Sequence, residues 1–146
     1  MNPTAQVEIA IPFHDVDMLC IAWHGHYYKY FEIARTELFR KYNCDVNELK
    51  ELGYYLPITD SSCRYISPLK YGMKVLVSAT LAEWEYRFVV KYLIRNAETG
   101  KRLAKGSTTQ VSVLGKTHSL CMVSPDCLVQ RFTGTLSASV LTNEEH

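Results

Sequence analysis

The sequence predicts an α+β domain, an antiparallel sheet wrapped around one long helix. Three observations carry this. Helical periodicity is confined to residues 25–52, strand-like alternation fills the chain after Gly53, and the two patterns are segregated rather than interleaved. A chain of 146 residues with 47% hydrophobic and 21% charged residues is long enough for one core. The predicted domain covers 1–132, and the Ser/Thr-rich 133–146 reads as a disordered tail.

The first strand is Gln6–Pro12, where Val7, Ile9 and Ile11 alternate with polar or small residues. Phe13–His24 has no sustained period and reads as a loop. From about Gly25, Tyr27, Tyr30, Phe31, Ala34 and Leu38 recur at helical spacing, with Lys29, Glu32 and Arg40 off the stripe. Glu37 and Lys41 are spaced to pair, and the helix should end near Tyr42. Cys44–Leu52 reads as a second, shorter helix stopped by Gly53. Strands follow at Tyr55–Ile66, Lys74–Glu85, Tyr86–Arg95 and Arg102–Leu114. Asn96–Lys101 forms a hairpin turn, and Ser119–Val123 adds a short strand. A sheet that wraps one helix leaves open edges, so pairing with a second copy is expected.

The net charge is +1 and the basic residues are scattered, so nucleic acid is not an expected partner. The N-terminus lacks the pattern of a secretory signal, and no window approaches the ~18 apolar residues of a membrane span. Five cysteines in no C-x-x-C spacing argue for reduced thiols rather than a disulfide framework or a zinc site. The expected location is the cytoplasm.

One stretch stands apart. Phe13–Arg40 sets Asp15, Asp17, Cys20 and three histidines (His14, His24, His26) ahead of the aromatic helix. Asp17 suits a nucleophile or general base, because a carboxylate is ionised at neutral pH. Its bland alternative is a turn former. Asp15 reads as a solvated or turn-capping residue. His24 either caps the helix or orients water. His26 reads as first-turn surface. Cys20 reads as a buried thiol, because no base flanks it at reactive spacing. A metal would need three or four of these side chains to converge, which their spacing does not ensure, so neither metal nor cofactor is expected. Glu32 and Arg35 are spaced to pair.

Phe13, Asp15, Asp17, His24, Tyr27, Tyr30, Glu32, Ala34, Arg35 and Glu37 spell F-x-D-x-D-x(6)-H-x-x-Y-x-x-Y-x-E-x-A-R-x-E. This motif resembles that of the hotdog-fold thioesterases of the 4-hydroxybenzoyl-CoA thioesterase type, and within them the acyl-CoA thioesterase branch associated with the Tol-Pal gene cluster. Cys63–Val75, with its tyrosine, proline and Tyr71-Gly72 turn, resembles the family as well.

The resemblance implies a hotdog fold and a homodimer or homotetramer with active sites between subunits. The implied activity is hydrolysis of a thioester of CoA or acyl carrier protein. It also implies a catalytic carboxylate at Asp17, with His24 near it. The helix-start amides at Gly25 would polarise the carbonyl. Candidate substrate-binding residues are Phe13, His26, Tyr27 and Arg64, the last toward CoA phosphates together with Lys70 and Lys74, whose plainer role is surface charge. Tyr54, Tyr55, Tyr65 and Trp84 are candidates to line an acyl pocket. Part of the family has tyrosine where this chain has Phe13. The alternatives are a hotdog dehydratase using Glu32 or Glu37, and a non-catalytic acyl-thioester binding protein.

Overall fold

The computed structural model describes residues 2–134. Five antiparallel strands form the main sheet: β1 (Thr4–Ala10), β3 (Ile58–Tyr65), β4 (Lys74–Glu83), β5 (Phe88–Asn96) and β6 (Arg102–Gln110), in the order β1-β4-β5-β6-β3. Two very short strands, β2 (Tyr54–Tyr55) and β7 (Val113–Leu114), pair separately. The helices are α1 (Tyr27–Lys41), α2 (Val46–Leu52) and α3 (Asp126–Thr133).

The helix stripe is buried as its spacing predicts: Tyr27, Tyr30, Phe31, Ala34 and Leu38 all enter the core. The sheet answers with period-2 alternation. Val75, Val77, Ala79 and Leu81 of β4, and Phe88, Val90, Tyr92 and Ile94 of β5, face the helix. Burying one such large side chain contributes about 1.5–3 kcal/mol. The helix packs across β1 and β4. The Phe31 ring lies flat on Tyr92, with centroids 4.6 Å apart. Gly106 on β6 makes room for it, since a Cβ there would sit 2.5 Å from both the Phe31 ring and the Ser62 carbonyl. The expected architecture, a sheet around one long helix, is present.

Several boundaries differ from the sequence reading. Tyr55–Ile66 is not one strand: Leu56-Pro57 divides β2 from β3, because proline cannot donate to a ladder. Arg102–Leu114 breaks similarly after Gln110, and β5 begins only at Phe88. Ser119–Val123 forms a single bridge, Leu120 to Val113, rather than a strand. Glu37 pairs with Arg40, not Lys41, whose ammonium donates to the Thr4 carbonyl at 2.9 Å. The helix α3 was not expected. Its Leu128 and Phe132 are buried, and Phe132 meets Phe39 and Phe88 with centroids 5.3 and 5.8 Å apart. The tail expected at 133–146 lies outside the described residues from 135 onward. Gly53 ends α2 as expected, at φ +89°. The edge strand β3 is almost wholly exposed.

Candidate active site

The loop before α1 begins with a 3-10 turn, Phe13–Asp15, which drives Asp15 inward. Asp15 is only 2% exposed, which corrects its reading as a solvated or capping residue. The Lys29 ammonium donates to one carboxylate oxygen and the Tyr30 hydroxyl donates to the other at 2.7 Å. Burial pulls the Asp15 carboxyl upward in pKa. The Lys29 and Tyr30 hydrogen bonds and the Lys29 charge outweigh it, and the net shift is downward. Tyr30 is pushed well above the ordinary phenol range by burial, then by Asp15. Asp15 therefore ties the loop to the first turn of α1.

Val16 pairs with Ala22, and a tight turn between them carries Asp17 outward. The Cys20 N–H donates to the Asp17 carbonyl at 2.9 Å, and the Leu19 N–H donates to Asp17 Oδ1 at 2.8 Å. Asp17 thus shapes its own turn with one carboxylate oxygen. Oδ2 has no protein partner among the described residues. Cys20 closes the turn at φ +59° and is exposed, not buried as expected. The turn is pinned from behind by the Ala22 N–H on the Leu69 carbonyl, 2.7 Å.

Asp17 lines an open cleft of about 320 Å³ with Ala22, Trp23, His24, Tyr27 and Tyr65. The cleft sits where α1 begins. A short 3-10 turn, His24–His26, leads into the helix. The His26 N–H donates to the Trp23 carbonyl at 2.9 Å and the Tyr27 N–H to the His24 carbonyl. The His24 and Gly25 N–H groups have no acceptor among the described residues, as expected of the first amides of a helix. Gly25 is needed for a reason the sequence did not suggest. A Cβ there would lie 2.1 Å from the Trp23 ring, so the indole, rather than a ligand, occupies the space beside it. Trp23 in turn packs against the His24 and His26 rings, with centroids 4.9 and 5.5 Å away.

The Tyr65 hydroxyl reaches from β3 to donate to the His24 carbonyl at 2.9 Å. Its ring meets Tyr27 edge-on, 4.7 Å between centroids. Burial, with Cys63 beside it, pushes the Tyr65 hydroxyl up to about 12. It therefore remains a donor at neutral pH.

Of the candidate residues, Asp17, His24 and Tyr27 share the cleft, and Gly25 lies between the latter two in sequence. Phe13, His26 and Arg64 do not line it. Phe13 is exposed and edge-on to Tyr71, His26 sits edge-on to the Trp23 ring, and Arg64 is exposed on β3. Trp23 had not been anticipated; its signal was a bulky aromatic two residues before a glycine. Lys70 and Lys74 are exposed and also lie outside the cleft, as do Tyr54, Tyr55 and Trp84. Glu32 pairs with Arg35 and Glu37 with Arg40, so neither acid joins Asp17 and His24. Among the described residues, no three His, Cys, Asp or Glu side chains come together as a metal would require. No helix there is long and apolar enough to cross a membrane.

A Synechocystis protein named "Putative esterase" is 27% identical over 109 residues, 74% of this chain and 66% of that protein. Among solved structures, the DHNA-CoA thioesterase of Staphylococcus aureus superposes with a TM-score of 0.78 at 24% identity, over 98% of this chain and 95% of that one. The 1,4-dihydroxy-2-naphthoyl-CoA thioesterase of Synechocystis superposes with a TM-score of 0.76 at 20% identity, over 88% and 95%. Both share the hotdog fold seen here. The family model of the thioesterase-like superfamily matches residues 11–132. That span holds the whole cleft, α1 and four of the five main strands, and the chain belongs to the thioesterase-like superfamily.

Proposed function

We propose that the chain hydrolyses acyl thioesters of CoA or of acyl carrier protein, with Asp17 as the reacting carboxylate. The observation that carries this is the exposed Asp17 carboxylate, one oxygen of which has no partner among the described residues, in one cleft with His24, whose helix-start N–H and that of the adjoining Gly25 have no acceptor among those residues. The names of relatives from this family and fold support the reaction class.

Two routes fit. Asp17 Oδ2 attacks the thioester carbon, the C–S bond breaks, and water hydrolyses the resulting anhydride. Alternatively Asp17 takes a proton from water, the hydroxide adds to the carbon, and the departing thiolate recovers the proton. In both, the carbonyl oxygen gains charge that the His24 and Gly25 N–H groups stabilise. One such donor is worth roughly 2.7–4 kcal/mol in the transition state. A thiolate leaves readily, which lessens the need for a strong general acid. Trp23, Tyr27 and Tyr65 form the walls.

The reading includes a homodimer or homotetramer. The support is the exposed edge of β3 and the position of Phe13, His26 and Arg64 outside the cleft of their own chain, where they would serve a substrate reaching across from a second copy. It also includes one domain over 1–132 and a cytoplasmic location, supported by a single continuous core and five free cysteines.

The test is thiol release over a panel of acyl-CoAs. Release by wild type and its loss in Asp17→Asn is the expected outcome. No release from any acyl-CoA or acyl carrier protein thioester would favour the non-catalytic binding role. An absorbance change without thiol would favour a dehydratase.

A further inference from the structure

The outer face of the sheet, turned away from α1, gathers charge that the sequence disperses. Alternation sends Val90, Tyr92 and Ile94 of β5 into the core, so Lys91, Leu93 and Arg95 point outward. Gly106 of β6 faces the Phe31 ring, so Lys105 and Ser107 point outward as well. Strand pairing fixes the neighbours. Lys105 stands opposite Leu93 on one side and Arg64 of β3 on the other, and Arg102 stands opposite Arg95 past a bulge. Arg64, Lys91, Arg95, Arg102 and Lys105 therefore share one patch. It spans three adjacent strands, about 10 Å, and runs about 14 Å along β5 from Lys91 to Arg95.

The patch is not neutralised from within. All five side chains belong to exposed residues, and among the described residues none of them forms an ion pair or a side-chain hydrogen bond. The acids of this face stand off. Glu8 is separated from Arg95 by the width of β4, and Asp60 lies four residues from Arg64 along β3. Glu98 belongs to the turn between β5 and β6. Glu32, Glu37, Glu48 and Glu51 are all on the helices, so the net charge of +1 is the sum of two unlike sides. Like charges set opposite one another, as Arg64 and Lys105 are, cost stability until a countercharge covers them.

The shape of the patch selects its partner. A small anion is held by donors that converge in a concavity, whereas these five radiate from a sheet face and none lines the Asp17 cleft. A second copy stacked on the patch would set like charge against like. A nucleic acid strand or a lipid surface is gripped through stacking aromatics or inserted apolar anchors as well as charge. Here the apolar residue among the cations is Leu93, and it is half-buried. An acidic protein surface needs spread countercharge alone. The patch also adjoins the site. Arg64 is followed on β3 by Tyr65, which points to the opposite face and lines the cleft with Ile66, Ser67 and Pro68. We propose that the outer sheet face docks an acidic carrier protein, so that the thioester brought to Asp17 is an acyl group on acyl carrier protein. The inference rests on the thioesterase reading above and names the substrate class of that same site.

The first arm of the test needs no hydrolysis. Apo-acyl carrier protein, which lacks the phosphopantetheine arm, is titrated into the full chain and followed by amide chemical shifts. Shifts should centre on Lys91, Leu93 and Lys105, and the Kd should rise at least about tenfold between about 50 mM and about 300 mM salt. The double variant Lys91→Glu/Lys105→Glu should weaken binding at least about tenfold. Lys50→Glu, on α2 away from the patch, should leave it within about twofold. The double variant is checked for a folded spectrum, and it should melt no lower than wild type, because each new acid sits among cations.

The second arm compares one acyl group carried by the carrier protein and by CoA. For the carrier thioester, kcat/KM should fall at least about tenfold in the double variant, through KM, while the CoA thioester changes less than about twofold. An equal fall for both substrates would give the patch to CoA phosphates and overturn the proposal. So would carrier shifts lying elsewhere, binding indifferent to salt or to the double variant, or tighter binding of duplex DNA or phosphatidylglycerol vesicles to the patch. Carrier docking with no thioester hydrolysed would sink the hydrolase reading and keep the docking surface. Hydrolysis of acyl-CoA with no carrier binding would do the opposite.

Discussion

Asp15 and Asp17 are separated by one residue and have opposite fates. Both are aspartates in the same loop, and both precede the same helix. Asp15 is sealed in, with Lys29 and Tyr30 consuming its two oxygens. Asp17 is exposed, with one oxygen given to its turn and the other without a partner among the described residues. The difference arises from backbone geometry. The 3-10 turn at Phe13–Asp15 directs the first carboxylate at α1, and the pairing of Val16 with Ala22 directs the second into the cleft. A carboxylate whose bonds are all made is committed to the fold. A carboxylate with an oxygen to spare, beside amides with protons to spare, is available for chemistry.

The strongest way to break that contrast is to neutralise Asp17. Asp17→Asn keeps the bond from the Leu19 N–H and removes the charge. Thiol release should fall at least about a hundredfold, a loss of roughly 2.7 kcal/mol of transition-state stabilisation. The melting temperature should hardly move. Near-normal turnover would take Asp17 out of the mechanism.

Asp15→Ala should do the reverse. It strands the buried Tyr30 hydroxyl and removes a partner from Lys29, at a cost of about 2–3 kcal/mol in stability, read from denaturant unfolding. Turnover per folded molecule should fall far less than in Asp17→Asn. If Asp15→Ala melts like wild type, the buried network is not what anchors the loop.

The pH dependence sharpens the same point. Asp15 has a folded-state pKa below the ordinary 3.8, so the native state binds this proton less tightly than the unfolded chain does. Its contribution is complete above that ordinary value and is lost as pH falls through the lower, folded value. The stability gap between wild type and Asp15→Asn should therefore be constant near neutrality and close as the pH drops below about 4. A gap that widened on acidification would reverse the assigned direction.

These contrasts were only partly open to sequence reading. The α1 stripe and the alternation of β4 and β5 were legible because a regular period projects onto one face. Pro57 was a visible break that the reading passed over. So was the start of α3, where Pro125 and Asp126 precede Leu128 and Phe132 at i,i+4 spacing. The fate of Asp15 was not legible. A loop has no period, and the partners of Asp15 lie 14 and 15 residues away. The same holds for Gly25, whose missing side chain accommodates the Trp23 ring.

The smallest expected effect concerns Tyr65, which resembles both aspartates. Like Asp15 it is engaged, donating to the His24 carbonyl, and like Asp17 it borders the cleft. Tyr65→Phe deletes one hydroxyl and leaves the ring against Tyr27. The His24 carbonyl that loses this donor belongs to the turn that aims the His24 and Gly25 N–H groups, so the damage should appear in aim rather than in folding. Thiol release should drop about fivefold, near 1 kcal/mol, in kcat more than in KM, because misaimed amides weaken the transition state more than the bound substrate. The half-exposed position of Tyr65 implies little change in melting temperature. A loss matching that of Asp17→Asn would make the hydroxyl a direct participant, and a variant with unchanged kcat would show that the turn holds its amides without help from β3.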